Sequence, residues 1–160
     1  MIEIEINEQN LFKFISNIRQ EDWQELNYFI KDNLIQNFID ICLRNKQNSY
    51  FLASDSTPIA IGGVCDYHFV DLKVGQIWLL CANGFEKEQI YLYKYVKNKI
   101  SCFCDKYDVL FNYIYKSNFN ALKWLKRMGF SSCELKNNDL NLFYLIKEGV
   151  YFDIRCFTCE

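Results

Sequence analysis

The sequence is poor in the residues that build linkers. It has one Pro and six Gly among 160 residues, too few for a flexible or extended segment between domains. It also lacks internal repeats and low-complexity tracts. We therefore expect one domain over residues 1–160, a length that can bury a single sizeable core.

Charge and hydropathy argue against two classes of partner. The 18 basic and 20 acidic residues give a net charge of −2, so no general positive field attracts nucleic acid. The sequence has no run of the about 18 apolar residues that a membrane span needs. The first residues, MIEIEINEQN, lack the basic and apolar regions of a signal peptide. We expect a cytoplasmic protein without a nucleic-acid or membrane partner.

Histidine is nearly absent, whereas cysteine is not. His68 is the one histidine beside eight cysteines. Without a signal peptide, these are expected to be thiols in a reducing compartment. Six lie in apolar stretches, where cysteine acts as a small hydrophobe: Cys42, Cys65, Cys81, Cys102, Cys104 and Cys133. Cys156 and Cys159 form a lone CxxC without the partners of a zinc site, so we predict free thiols and no metal. A redox or metal protein built on the cysteines is an alternative hypothesis.

Periodicity in the N-terminal half predicts a strand, helices and a hairpin. IEIEI alternates as a half-buried strand, and two amphipathic helices follow it in EDWQELNYFIKDN and NLIQNFIDICLRN. Two β-rich runs then flank DSTP, which suits a tight turn between antiparallel strands; they are SYFLAS and PIAIGGVCDY.

The C-terminal half predicts a β-α-β unit. The strand GQIWLLC leads into a long helix, FEKEQIYLYKYVKNKISCFCDKY, and the apolar strand DVLFNYIY follows. Such a crossover indicates parallel strands. LNLFYLIKE supplies a late strand and VYFDIRCFT a final edge strand. The fold class is therefore α/β of the α+β type, with one mixed sheet.

The segment SNFNALKWLKRMGF reads as a helix with a defined start and stop. Ser117 or Asn118 can cap its first amides, and Gly129 supplies the left-handed stop before Phe130. Apolar and basic residues occupy opposite faces: Ala121, Leu122, Leu125 and Met128 on one, Lys123, Lys126 and Arg127 on the other. By itself this pattern indicates a capped helix between two strands and no particular activity.

This segment resembles the strand-helix-strand region near the C-terminus of the GNAT acetyltransferase superfamily. The resemblance rests on the spacing of Asn118, Ala121, Gly129 and Phe130. With the upstream hairpin and the strand that leads into a long helix, it covers most of the chain. It implies a single-domain GNAT-like mixed β-sheet with helices on both faces, and acetyl-CoA as co-substrate.

A narrower resemblance is to the acetyltransferase-like proteins of phages and prophages. That group includes an internal virion protein of short-tailed phages. The runs PIAIGGVCD, GQIWLLCA and LFNYIYKSNFNALKWLKRMGF carry the resemblance, and the matching residues are Gly62, Gly63, Trp78, Asn112 and Tyr113.

The GNAT resemblance implies a set of cofactor-binding residues. Pantetheine would lie along the strand backbone, the pyrophosphate at the start of the long helix, and an Asn side chain across the cleft. The corresponding residues are Leu79, Leu80 and Cys81 for the pantetheine, Asn83, Gly84, Phe85 and Lys87 for the pyrophosphate, and Asn118 for the side chain.

The phosphate loop departs from the family pattern. CANGFEKEQ keeps one glycine, Gly84, and one nearby cation, Lys87. Asn83 can cap the helix. Glu86 and Glu88 occupy its first turn, which suits the helix dipole but repels a pyrophosphate. We expect weak acetyl-CoA binding.

The catalytic groups are unknown. Many GNAT enzymes carry a Tyr acid four residues before the closing Gly, where this chain has Leu125. The role would pass to Tyr113, Tyr115, a thiol or water. Gln76 lies on the relevant strand but does not titrate, so no general base is named.

Two functional hypotheses follow from the resemblance. In the first, the protein is an N-acyltransferase, phage or prophage encoded, that moves an acetyl group from acetyl-CoA to an unknown amine, a small molecule or a protein. In the second, the same fold has lost acyl transfer and acts in virion morphogenesis or host interaction, with a phage or host protein as partner and a place in the virion. The 18% aromatic content suits interface patches as well as a core.

Overall fold

The computed structural model describes residues 1–69, 71–136 and 139–157. They form a mixed seven-stranded sheet in the order β1-β2-β3-β4-β5-β7-β6. The strands are β1 (Ile2–Glu3), β2 (Ser49–Ser54), β3 (Thr57–Phe69), β4 (Leu72–Cys81), β5 (Val109–Tyr115), β6 (Ser131–Glu134) and β7 (Leu140–Ile146). The helices are α1 (Glu8–Ile15), α2 (Gln20–Phe29), α3 (Leu34–Arg44), α4 (Gln89–Lys106) and α5 (Phe119–Arg127). The predicted fold class is confirmed.

Three helices, rather than the predicted two, follow β1. The additional helix is α1, which begins after Asn7, whose side chain accepts a hydrogen bond from the Asn10 amide at 2.9 Å. Leu11 and Phe14 of α1 are fully buried. The predicted strand IEIEI is correspondingly shortened to Ile2–Glu3, because the residues after it lead into this helix.

The predicted hairpin is confirmed. β2 and β3 pair antiparallel, from Ser49 opposite Gly63 to Ser54 opposite Thr57. The turn residues Asp55 and Ser56 both have positive φ, 47° and 65°. Two successive left-handed residues match the right-handed twist of the flanking strands.

The predicted β-α-β unit is also confirmed. β4 and β5 run parallel, with Val74 opposite Val109 and Gln76 opposite Phe111. α4 is the crossover between them, and parallel neighbours need such a connection. The predicted splaying of the two strands beyond this register stays a prediction.

β6 and β7, the two strands that follow α5, form antiparallel pairs in the sheet. β7 pairs along the whole of β5, from Leu140 opposite Tyr115 to Ile146 opposite Val109, and β6 pairs with the other edge of β7. Gly129, with φ of 96°, supplies the predicted left-handed stop between α5 and β6.

The predicted final edge strand is wrong. In place of a strand, Ile154–Phe157 form a 3-10 turn. The aromatic residues of this segment pack on the sheet face through their rings, which a side-chain pattern alone does not distinguish from strand pairing. Cys159 of the CxxC lies outside the described residues.

The chain divides into two compact units, each with its own core. The first contains Met1–Cys65 and Trp78–Leu92, and its core joins α1, α2 and α3 to the sheet through Phe14, Phe38 and Phe51. The second contains Asp66–Ile77 and Tyr93–Glu160, and Val74, Val109, Phe111 and Leu142 form a buried cluster in it. Among the described residues, no helix combines the length and apolar character needed to cross a bilayer.

Candidate functional site

The turn between β4 and α4 is the predicted pyrophosphate site, and it belongs to the first compact unit. Gly84 has φ of 90° and begins a 3-10 turn, Phe85–Glu88. The α-helix itself starts only at Gln89, four residues later than the sequence pattern predicts. A Cβ added at Gly84 would meet no atom within 4 Å, so its surroundings are open to a ligand.

Two amides of this turn already have acceptors within the chain. The Phe85 amide donates to the Ala82 carbonyl and the Lys87 amide to the Gly84 carbonyl, each at 3.3 Å. These bonds are longer than the usual 2.9–3.0 Å. A phosphate therefore has to compete for the amides, but against weak internal bonds.

Asn83 does not cap the helix, so this part of the sequence interpretation is wrong. Its side-chain nitrogen donates to the carbonyls of Asn17 and Ile18 at 3.1 and 3.4 Å, and its amide donates to Asn17 at 2.8 Å. The Asn17 side chain returns a bond to the Asn83 carbonyl at 3.3 Å. Asn83 thus fastens the turn to the segment after α1.

The charged residues of the turn differ in their surroundings. Glu86 and Lys87 are exposed. Glu88 is partly buried and accepts a hydrogen bond from the Ser54 hydroxyl at 2.7 Å. Because Glu88 is held by the end of β2, Glu86 is the acid that most directly opposes an anionic ligand at this turn.

The predicted pantetheine residues lie at the end of β4. Leu79 is partly exposed, whereas Leu80 and Cys81 are buried. The Cys81 amide donates to the Asp22 carboxylate at 3.1 Å, and the Cys81 carbonyl accepts from the Arg19 amide at 3.0 Å. Both backbone groups of Cys81 are therefore engaged within the first unit. The pantetheine contacts of Leu79 and Leu80 stay predictions.

A buried ion pair beside this strand end was missed by the sequence analysis. Arg19 Nε lies 2.7 Å from Asp22 Oδ2, and both side chains are buried. The Arg19 guanidinium also stands over the Phe85 ring, 4.6 Å from its centroid, a cation–π contact. Burial raises the pKa of the Asp22 carboxyl, against the opposing effect of Arg19. The pair links α2, β4 and the candidate phosphate turn.

Asn118 belongs to the second compact unit, where its predicted capping role is confirmed. Its side-chain oxygen accepts a hydrogen bond from the Ala121 amide at 3.2 Å, and the residue is buried. Trp124 of α5 packs edge-on against Tyr93 of α4 at 5.8 Å between ring centroids. The role of Asn118 opposite the phosphate turn stays a prediction.

The candidate acids show no catalytic arrangement by themselves. Leu125 is buried in the position where GNAT enzymes often have Tyr. The Tyr113 hydroxyl donates to the Phe157 carbonyl at 3.4 Å. Gln76 is partly buried on β4, and His68 is exposed on β3. These positions are compatible with catalysis by proximity and assign no general base.

The seven cysteines in the part of the chain that the structure describes form no disulfide with one another, and Cys156 is exposed. No group of three or more His, Cys, Asp or Glu within residues 1–69, 71–136 and 139–157 could hold a metal ion. Cys42 and Cys81 are buried, in keeping with their predicted hydrophobic role, whereas Cys102 is exposed.

The fold is that of solved GNAT proteins. The structure of PH1933 from Pyrococcus horikoshii OT3 aligns with a TM-score of 0.69 and 14% identity over 91% of this chain and 95% of that one. A GNAT-family acetyltransferase from Bacillus anthracis aligns with a TM-score of 0.63 and 10% identity over 91% and 94%. The Campylobacter jejuni N-acetyltransferase PseH, solved with acetyl coenzyme A, gives a TM-score of 0.56 and 17% identity over 92% and 99%.

Sequence comparison leads to a phage family. "Probable scaffold protein gp13" of Escherichia phage T7 is 28% identical over 94 residues, which make up 58% of this chain and 65% of that protein. The match therefore spans just under two thirds of the relative's length. The model of the family described as "Bacteriophage T7, probable scaffold protein Gp13" matches residues 48–134, more than half of the chain. The chain has the GNAT fold and belongs to this gp13 family.

Proposed function

We propose that the protein binds acetyl-CoA at the turn between β4 and α4 and transfers the acetyl group to an amine. The observation that carries the proposal is Gly84, a left-handed residue with open space around it, placed between a parallel strand and a helix start. Helix starts of this kind accept phosphate groups. Acetyl-CoA bound to a neighbour of the same fold, PseH, supports the choice of ligand.

The proposed chemistry needs few protein groups. Gly84 to Lys87 would hold the pyrophosphate on a turn that Asn83 fixes through its bonds to Asn17, and Leu79 and Leu80 would lie along pantetheine. The amine nitrogen attacks the thioester carbonyl carbon, the C–S bond breaks, and CoA leaves as the thiolate, which takes up the proton the amine loses. Proximity and backbone dipoles would supply most of the rate.

The turn also indicates that binding is weak. Three of its amides, those of Asn83, Phe85 and Lys87, are engaged internally. Glu86 is exposed beside Lys87, and Glu88 adds a second acid in the same turn. Each exposed charge changes the binding free energy by about 1 kcal/mol or less. We expect a dissociation constant of about 0.1–1 mM, which corresponds to about −5.5 to −4 kcal/mol.

Titration calorimetry with acetyl-CoA tests the proposal. Saturable binding that a Lys87→Ala variant weakens is the expected result, and release of free CoA in the presence of an accepted amine would demonstrate transfer. A Lys123→Ala variant, which changes an exposed lysine of α5, is the matched control. If folded protein binds no acetyl-CoA at millimolar concentration, the proposal is wrong.

A second function, in virion assembly, is favoured by the family match over residues 48–134. On this hypothesis the protein is phage or prophage encoded, uses the fold without acyl transfer, and binds a phage or host protein. The relative in phage T7, whose description names a scaffold protein, supports it. Mass spectrometry of purified particles from cells in which the chain is expressed during infection or induction would test it, because an assembly protein should co-purify with particles or their precursors.

A further inference from the structure

An aromatic surface covers one face of the sheet in the second compact unit. Tyr67 and Phe69 are alternate residues of β3, and Phe111 and Tyr113 are alternate residues of β5, so each pair faces one side of the sheet. The ring centroids of Tyr67 and Phe111 are 5.3 Å apart, and those of Phe111 and Tyr113 are 5.7 Å apart. We call these four residues the aromatic cradle.

Residues 150–157, here called the strap, fill this cradle with two phenylalanines. The ring centroid of Phe157 lies 4.5 Å from that of Phe111 and 6.1 Å from that of Phe69. Phe152 lies 5.4 Å from Phe69 and 5.2 Å from Phe157. Aromatic pairs at these distances attract one another beyond the effect of burial alone. The two rings are therefore the main anchors of the strap.

The backbone of the strap makes local bonds rather than extending the sheet. The Cys156 amide donates to the Asp153 carbonyl at 3.1 Å, and the Arg155 Nε donates to the Asp153 carboxylate at 2.9 Å. The bond from the Tyr113 hydroxyl to the Phe157 carbonyl is long, at 3.4 Å. The strap is thus a locally bonded turn whose contacts with the sheet are mainly those of its aromatic rings.

The connection to the strap is a hydrogen-bonded turn, in which the Val150 amide donates to the Lys147 carbonyl at 3.1 Å. β7 ends at Ile146, and Gly149, at φ of 82° with no atom within 4 Å of an added Cβ, follows three residues later. Glycine can take many other backbone conformations at little steric cost. A change of backbone conformation at Gly149 would break the bond between Val150 and Lys147, and Gly149 lies outside the pairing of β5 with β7, which ends at Ile146.

We propose that the aromatic cradle is an assembly surface that accepts the strap of a second copy of this chain. The ring contacts made within one chain and those made between two exchanged chains are the same, as in domain swapping. The equilibrium between the monomer, whose own strap fills its cradle, and the exchanged dimer is then set by the effective concentration of the tethered strap. That concentration is in the millimolar range for a short linker. Exchange becomes favourable where copies are crowded, and this inference does not depend on acetyl transfer.

Two complementary full-length variants test the exchange. The strap variant carries Phe152→Ala and Phe157→Ala and keeps the cradle. The cradle variant carries Tyr67→Ala and Phe69→Ala, neither of which is fully buried, and keeps the strap. In a mixture, the strap of the cradle variant has one intact cradle to enter, that of the other copy. Circular dichroism of each purified variant checks that it is folded.

We expect a heterodimer in the mixture by sedimentation velocity, with association at least tenfold tighter than either variant shows alone. At about 0.2 mM, below the effective concentration of a tethered strap, wild-type protein should remain largely monomeric. Tyr151→Ala in the cradle variant is the matched control, because Tyr151 is an aromatic strap residue that is 89% exposed; it should leave the heterodimer unchanged.

Two results would overturn the proposal. One is the absence of a heterodimer at millimolar concentration when both variants are folded, since the unfilled cradle then does not accept a strap. The other is a heterodimer that persists when Phe157→Ala is added to the cradle variant, which would place the interface elsewhere.

Discussion

The ring of Tyr50 lies against the backbone of Gly62 in the neighbouring strand. A Cβ built at Gly62 would stand 2.6 Å from the Tyr50 hydroxyl oxygen and 2.8 Å from the Trp78 carbonyl oxygen. Real Cβ atoms essentially never approach other atoms so closely. A glycine at position 62 therefore leaves room for the buried Tyr50 side chain against β3. This explains the glycine at a position that the sequence analysis named only by resemblance.

Gly62→Ala should destabilise the protein by about 1–3 kcal/mol, the usual cost of overpacking a core. Urea unfolding monitored by circular dichroism measures the change. In a Tyr50→Leu background the added cost of Gly62→Ala should be smaller, because the ring contact is gone while the Trp78 contact remains. Equal costs in the two backgrounds would contradict this account.

Asn118→Ala should cost about 1 kcal/mol, the typical contribution of an N-cap. The reason is the bond from the Ala121 amide to the Asn118 side chain. Asn118→Asp keeps an acceptor at the same place and should retain most of the stability. Thermal and urea unfolding of the two variants provide the comparison, and an Asp variant as unstable as the Ala variant would argue against capping.

Much of the fold could be predicted because its signals are local. The hairpin follows from two apolar runs and a polar turn, and the start and stop of α5 follow from Asn118 and Gly129. α1 was missed although its signals are present: Asn7 caps it, and Leu11, Phe14 and Ile15 form its buried face. Because the preceding IEIEI run alternates apolar and acidic residues, the predicted strand extended beyond Glu3, where the observed strand ends.

The missing part of the site depends on tertiary context. Arg19 and Asp22 read as surface charges in a sequence, since charged residues are rarely buried unless paired. Their i, i+3 spacing at the start of α2 is the one sequence signal of the pair. Likewise, the strap alternates like a strand, but ring contacts with the sheet decide its conformation.

Asp22→Asn should be strongly destabilising, by up to about 3–5 kcal/mol, because it leaves Arg19 buried without its countercharge. Glu21→Gln, which neutralises the adjacent exposed acid, is the matched control and should change stability little. Adding Arg19→Met to Asp22→Asn should recover part of the loss, since the unpaired cation is removed. A double variant less stable than Asp22→Asn by the full cost of Arg19→Met alone would indicate that the two residues are not coupled.

Alkaline pH should destabilise the protein through its buried thiols. Burial raises the pKa of Cys42 to about 12, whereas the pKa of a thiol in the unfolded chain is about 8.5. Between these values the unfolded state releases the proton and the folded state keeps it, so the free energy of unfolding falls as pH rises, by up to about 1.4 kcal/mol per pH unit for one thiol.

Urea unfolding at several pH values compares Cys42→Ala with wild type. The variant should show the shallower decline above about pH 8.5, because one thiol with a raised pKa has been removed. Cys102→Ala, which removes an exposed thiol, should follow the wild-type slope. Parallel curves for wild type and Cys42→Ala would mean that the Cys42 thiol ionises as readily in the folded state as in the unfolded one.

The charges of the β4–α4 turn should determine the affinity for acetyl-CoA. Glu86→Gln should tighten binding by about twofold or more, since an exposed charge contributes up to about 1 kcal/mol, and Lys87→Ala should weaken it. Glu88→Gln should act less than Glu86→Gln, because the Glu88 carboxylate is engaged by the Ser54 hydroxyl. Raising the salt concentration should shrink all three differences through screening. Calorimetry at two ionic strengths measures them. The sign for Glu86 is decisive, because a ligand that binds elsewhere, or that does not bring its phosphates to this turn, would not respond to removal of that acid.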